Sequence, residues 1–354
     1  MNKDFINYVN KAVEDGIFPG CNIVVVTKND KGYKENFFSF GNKALLPKPI
    51  KNDIDTIYDM ASCTKVIATT TSIMILIEKG LIKLYDAVAL YLLDFIHKNI
   101  TIWDLLTHTA GLPSGLRGAH TMNADEIRFG IMNIELQYEK NTKIVYSDLG
   151  FVLLGWIVEK VSGMSLDKFA KENIFDLLDM NDTGYLPKQI NRCAPTEDRG
   201  DHIDLGYVHD EMSKNLGGVA GHAGLFSTVK DLSKYMQMIL NDGYYNGKKI
   251  LDKNTVNLLF KPQVKERIGI TEQFNMRSLG WIPKNENCCG GDLISDMTIM
   301  HTGFTGTSVV IDKENGFGFA MLSNRVHPTR ANTKIIPFRG RITNYIVSHL
   351  EDFK

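Results

Sequence analysis

Strand-forming segments lie at both ends of this chain, with a long run of helical pattern between them. Cys21 to Val26 is a β-branched run, and Asn29-Asp30-Lys31-Gly32 turns it back into Asn36 to Phe40, which reads as a hairpin. Strand patterns then lapse until 277–282, 297–302, 306–311 and 317–323, the last two joined by the hairpin turn Asn315-Gly316. Helical periods fill 62–79, 149–162, 166–178 and 229–241, and helices at 3–15 and 333–351 close the two ends. Strands so far apart in sequence satisfy their backbone hydrogen bonds by pairing with one another. The expectation is an α+β fold: one antiparallel sheet built from both termini and flanked by helices, with a mostly helical region inserted. No repeat, low-complexity tract or Pro/Ser-rich linker divides residues 1–354. They are read as a single domain, with a sheet-bearing part at 1–61 and about 265–354 and a helical part at about 62–264.

Composition excludes several function classes. A net charge of −1 and scattered lysines leave no footprint for nucleic acid. The most apolar run, Val66 to Ile77, is interrupted by threonines and a serine and is too short to span a bilayer. The start, Met1-Asn2-Lys3-Asp4-Phe5, shows no apolar signal segment, so a cytoplasmic location is expected. Five cysteines without CxxC spacing fit reduced thiols.

Ser-x-x-Lys occurs three times, and position separates the three. Ser165 and Ser227 each stand where an amphipathic helix begins, as N-capping serines do. Ser62-Cys63-Thr64-Lys65 opens a helix that is apolar all round, and Lys65 is its only charge between Met60 and Ile77. A buried ammonium needs an anion or a lowered pKa. At i and i+3 the Lys65 amine reaches the Ser62 hydroxyl, and the free N–H groups of a helix start favour developing negative charge. Tyr146-Ser147-Asp148 precedes the helix at 149–162, where Ser147 or Asp148 would cap it. His301-Thr302-Gly303-Phe304 follows a β-branched run, with glycine where another backbone can approach closely.

In this order, Ser62-x-x-Lys65, Tyr146-Ser147-Asp148 and His301-Thr302-Gly303 resemble the three motifs of the serine β-lactamase and penicillin-binding protein superfamily. The branch resembled is that of class C β-lactamases, DD-peptidases and lactamase-fold esterases. Leu105 to Leu112, Val208 to Glu211, Gly217 to Ser227 and Asn324 to Arg330 extend the likeness over almost the whole chain. The resemblance implies a β-lactamase/transpeptidase-like fold and a serine hydrolase that works through an acyl-enzyme without a cofactor. Ser62 would be the nucleophile, and Lys65 and Tyr146 would share acid and base work. The backbone N–H groups of Ser62 and Phe304 would form the oxyanion hole. Asp148, His301, Thr302, Gly303 and Arg325 would contact a small-molecule or peptide-like substrate. The family usually has Lys where this chain has His301, whose charge is conditional near neutral pH. It usually has Asn where this chain has Asp148, which only accepts hydrogen bonds when ionised. Asp148 either pairs with Lys65, shifting the base role to Tyr146, or accepts from a substrate amide. Both departures favour a peptidase, amidase or esterase over an efficient β-lactamase. The alternative is a binding module of the same fold that does not turn over.

Other signals carry less. His108, His120, His202, His209 and His222, with Asp198, Asp201 and Asp204, have no tight metal-ligand spacing, and no metal is expected. Gly217 to Gly224 lacks a phosphate-cradle pattern and reads as a tight loop under the site. Cys63 reads as a packing residue, Cys288-Cys289 as part of an exposed loop, and Arg325 as a substrate contact or a surface ion pair.

Overall fold

The structure is a computed structural model that describes residues 3–286 and 288–354. Its centre is a seven-stranded antiparallel sheet that draws on both ends of the chain. Strand Gly20–Asn29 sits in the interior, paired on one side with Gly32–Ala44 and on the other with Phe317–Ser323. Beyond the latter lie Ser308–Asp312, Thr298–Thr302 and, at the edge, Ile282–Pro283. Cys21, Ile23 and Val25 face one apolar cluster, together with the terminal helices Lys3–Glu14 and Ile335–Ser348. Val24 and Val26 face the larger cluster, which packs the helical region. Burial on both faces explains why this strand reads as a continuous apolar run and does not alternate. Each such side chain contributes about 1.5–3 kcal/mol on leaving water.

The expected strand at 277–282 divides in two. Phe274–Arg277 pairs with Val264–Arg267 in a separate ribbon, and only Ile282–Pro283 joins the main sheet. Gly280 causes the break: its φ of +75° and its approach to Thr70, whose hydroxyl oxygen lies 2.1 Å from where a Cβ would stand, leave room for glycine alone. A small sheet that periodicity did not reveal joins Tyr58–Asp59, from before the helical region, to Leu225–Ser227 and Gly184–Tyr185 within it.

The Ser62 segment is helical as expected but not uniform. A 3₁₀ turn at Ala61–Cys63 leads into wide i→i+5 turns at Lys65–Thr70 and then the α-helix Thr71–Glu78. The hydroxyls of Thr70 and Thr71 donate to carbonyls five residues back, on Lys65 (2.8 Å) and Val66 (3.1 Å). These bonds satisfy buried hydroxyls and fit the widened turns. Ala61–Glu78 is 18 residues and, by length and composition, passes for a membrane span, contrary to the expectation from its apolar run alone. Because 83% of it is buried inside the protein, it is a core helix.

Candidate active site

Ser62, half-buried, begins this core helix, and Lys65 lies one turn on with no exposed surface. The Lys65 amine donates to the Ser62 hydroxyl at 3.1 Å and the His222 carbonyl at 3.0 Å and forms an ion pair with the Asp148 carboxylate at 2.7 Å, with the Tyr146 hydroxyl as a fourth neighbour. Of the two roles open to Asp148, pairing with Lys65 is the one the geometry displays. Burial alone would lower the Lys65 pKa, but the charge of Asp148 and then Tyr146 override it and hold the ammonium above its ordinary value. Lys65 is therefore a protonated group at neutral pH.

Tyr146 lies across the cleft, its ring 4.9 Å from the Lys65 nitrogen and its hydroxyl bonded to Lys65 and Ser62. Burial raises its pKa, and the Lys65 charge opposes that rise. The backbone on either side of Tyr146 is pinned by one residue that sequence reasoning had set aside. Val145 donates to the His108 carbonyl (2.9 Å) and Ser147 donates to His108 Nδ1 (3.1 Å). An accepting Nδ1 assigns the proton to Nε2, and burial keeps the ring neutral, well below its ordinary pKa. The signal for His108 was present in Leu105 to Leu112, but nothing local tied it to Tyr146.

The expected caps are rearranged. Ser147 occupies the N-cap of helix Asp148–Ser162, yet its hydroxyl donates to the Pro113 carbonyl at 2.6 Å. Ser165 is at an N-cap without a side-chain cap bond, and Thr228, not Ser227, caps the helix Val229–Leu240. Ser227 instead lies in the small sheet, beside Thr183 at 2.8 Å.

Strand Thr298–Thr302 brings His301 and Thr302 to the cleft wall opposite Tyr146, with His301 and Tyr146 rings 6.2 Å apart. Gly303 is required here, since a Cβ would lie 2.1 Å from the Thr307 hydroxyl and 2.5 Å from the Met60 carbonyl. That close approach locks the strand end onto the Met60–Ala61 turn before Ser62. The backbone N–H groups of Ser62 and Phe304 donate to no acceptor among the described residues, as an oxyanion hole requires. His301 departs from the expectation of a conditional charge. It is buried, and desolvation followed by the Lys65 charge pulls its pKa down to about 3. Its Nδ1 donates to the Thr302 carbonyl at 2.9 Å.

Arg325 is neither a surface ion pair nor a free substrate contact. Nε donates to the Phe304 carbonyl at 2.8 Å and Nη1 to the carbonyls of Arg330 (2.9 Å) and Asn332 (2.5 Å), so its guanidinium holds the Phe304 turn. Phe304 is stacked between that guanidinium and His209, at 4.4 Å and 5.6 Å. A different cation stands near the site. Arg277 donates through Nη1 to the Asn275 side chain and the Met276 carbonyl, both at 2.8 Å, and its buried Nε has no partner among the described residues. Its charge acts on Tyr146 and His301. The histidines and aspartates weighed as metal ligands form no group of three or more candidate donors among the described residues.

The Beta-lactamase family model matches residues 5–341. A protein of Escherichia coli O157:H7 with the provisional name D-alanyl-D-alanine carboxypeptidase is 32% identical, over 93% of this chain and 83% of its own length. An N-acetylmuramyl-L-alanine amidase of Bacillus subtilis (strain 168) is 31% identical, over 90% and 80%. Among solved structures, a class C β-lactamase from Rhodobacter sphaeroides aligns with a TM-score of 0.75 over 98% of this chain and all of its own, at 18% identity, which speaks for the fold alone. With a motif serine, a buried lysine and a facing tyrosine in one cleft, and a family match along almost its whole length, the chain belongs to the Beta-lactamase family, serine-type hydrolases of amide or ester bonds.

Proposed function

We propose that this chain cleaves amide bonds of peptide or muropeptide-like fragments through an acyl-enzyme on Ser62. The observation that carries the reading is the buried Lys65 ammonium, 3.1 Å from the serine hydroxyl and paired with Asp148. A lysine held protonated does not take the serine proton, so Tyr146 acts as the relay. As Ser62 Oγ attacks the carbonyl carbon, its proton passes to the Tyr146 oxygen. The tyrosine proton passes to the departing nitrogen, and the carbon–nitrogen bond breaks. The oxyanion is met by the N–H groups of Ser62 and Phe304, and the Lys65 charge stabilises the tyrosine oxygen in transit. Water then hydrolyses the ester by the reverse relay. Neutral His301 offers a substrate carboxylate no charge, whereas Arg277 supplies one.

Intact-mass measurement after fluorophosphonate treatment tests the central step. The native chain gains one adduct at Ser62, and Ser62→Ala gains none and loses hydrolysis by a factor on the order of 10⁴–10⁶. An unlabelled native chain would make it a binding module. Comparing a D-Ala-D-Ala peptide, an N-acetylmuramyl-L-alanine amide, a chromogenic cephalosporin and a short aryl ester ranks the substrates. Arg277→Ala raises KM for the peptide with a free carboxylate and leaves the ester unchanged if the anion assignment holds.

A further inference from the structure

Three residues before the nucleophile lies a carboxylate that the relay does not use. Asp59 is buried, and among the described residues no Lys, Arg or His side chain pairs with it. Its two oxygens instead serve two backbone donors: Oδ1 accepts from the Ala61 N–H at 2.8 Å and Oδ2 from the His209 N–H at 2.7 Å. Its main-chain carbonyl accepts from the Thr305 hydroxyl at 2.7 Å, and the adjoining Met60 carbonyl accepts from Thr307 at 3.0 Å.

These bonds join both halves of the oxyanion hole. Ala61 has a φ of +45°, a left-handed conformation that costs a non-glycine residue about 1–2 kcal/mol and aims the following Ser62. His209 stacks on Phe304, and Thr305 is the next residue along. An unpaired carboxylate buried at such cost is expected where it holds something else in place. We propose that Asp59 is a positioning residue that clamps the Ser62 and Phe304 N–H groups into register through Ala61, His209 and Thr305, without touching substrate. This rests on the acyl-enzyme reading of Ser62.

The clamp works only while both oxygens accept. Burial pushes the Asp59 carboxyl up to about 6, against the pull of the His209 and Ala61 N–H groups; the carboxylates of Asp210 and Asp204 push it the same way. The Cys193 thiol also interacts with it, and the His209 ring lies in the same segment. A protonated carboxyl turns one acceptor into a donor and strands one of the two N–H groups.

The test uses 4-nitrophenyl acetate turnover and the rate of fluorophosphonate labelling. The native chain is labelled first, because failure there refutes the acyl-enzyme and not the clamp. Asp59→Asn is expected to lower kcat about 10²-fold, the scale of one lost oxyanion donor, with KM little changed. Adding Ala61→Gly, which adopts the left-handed φ freely, should restore about tenfold of that loss. A labelled native chain with an Asp59→Asn kcat within about threefold of native would overturn the proposal, as would a double variant no better than the single. If Asp59→Asn fails to fold, Ala61→Gly alone decides. The native kcat should fall as pH drops below about 6, and the glycine variant should lose less; identical acid limbs would refute the clamp.

Discussion

Two ionic constellations flank the cleft, built from the same chemistry to different ends. Lys65 and Asp148 form one ion pair around a cation with no exposed surface. On the Phe304 side, Arg330 pairs with Glu197 and Glu211, and Arg199 with Glu197, Asp204 and Glu211, at contacts of 2.5 to 3.2 Å. Those arginines are 27% and 40% exposed. Partial exposure screens the second cluster, which is therefore expected to act as a brace that tolerates loss of one member. In the first, the lysine is fully buried, so losing its carboxylate partner leaves a charge without compensation, and Asp148 is the strongest of the groups that hold Lys65 protonated.

The sharpest way to break this contrast is to remove the buried cation. Lys65→Ala should lower kcat for an aryl ester on the order of 10³–10⁴-fold, read in steady-state kinetics. A variant that keeps a tenth of the native rate would make the pair merely structural. Next comes the partner. Asp148→Ala should destabilise the chain by about 3 kcal/mol in urea unfolding, the low end for a broken buried pair because Asp148 is partly exposed. The Lys65 pKa is raised on folding, so the pairing stabilises fully below the ordinary lysine value and is lost only as pH climbs through the raised one. The loss should therefore be equal at pH 6 and pH 8, and a difference between them would refute the assigned charge state.

His301 gives a smaller effect with the opposite sign. Its pKa is depressed on folding to about 3, so its contribution is complete above the ordinary histidine value and drains away as pH falls from there toward 3. His301→Gln should flatten that part of the stability profile, while native KM for a carboxylate peptide shows no His301 limb between pH 5 and 8. Smallest of all, Arg330→Gln should cost no more than about 1 kcal/mol and change kcat only a few-fold, as expected of a shared and half-exposed brace. A hundredfold loss would place that cluster on a par with Lys65.

The antiparallel sheet, its hairpin at Asn315-Gly316 and the core helix were legible because their signals are local: β-branched runs, a turn dipeptide and an apolar period. Ser62 was separable from Ser165 and Ser227 for the same reason, since a lone lysine in an apolar helix is visible in a short window. Arg325, Asp59 and His108 were not. Whether an arginine meets a ligand or a backbone carbonyl depends on the Phe304 turn, which is some twenty residues away, and the hold of His108 on Tyr146 spans nearly forty.

Sequence by itself determined that a serine and a buried lysine share a helix face, because i and i+3 geometry belongs to the helix. Only the tertiary structure decided what they do. The carboxylate that keeps Lys65 charged, the burial that keeps His301 neutral and the approach of Gly303 to the turn before Ser62 arise from long-range packing. Protonation depends on desolvation and on charges within a few ångströms, and neither is set until the chain has folded.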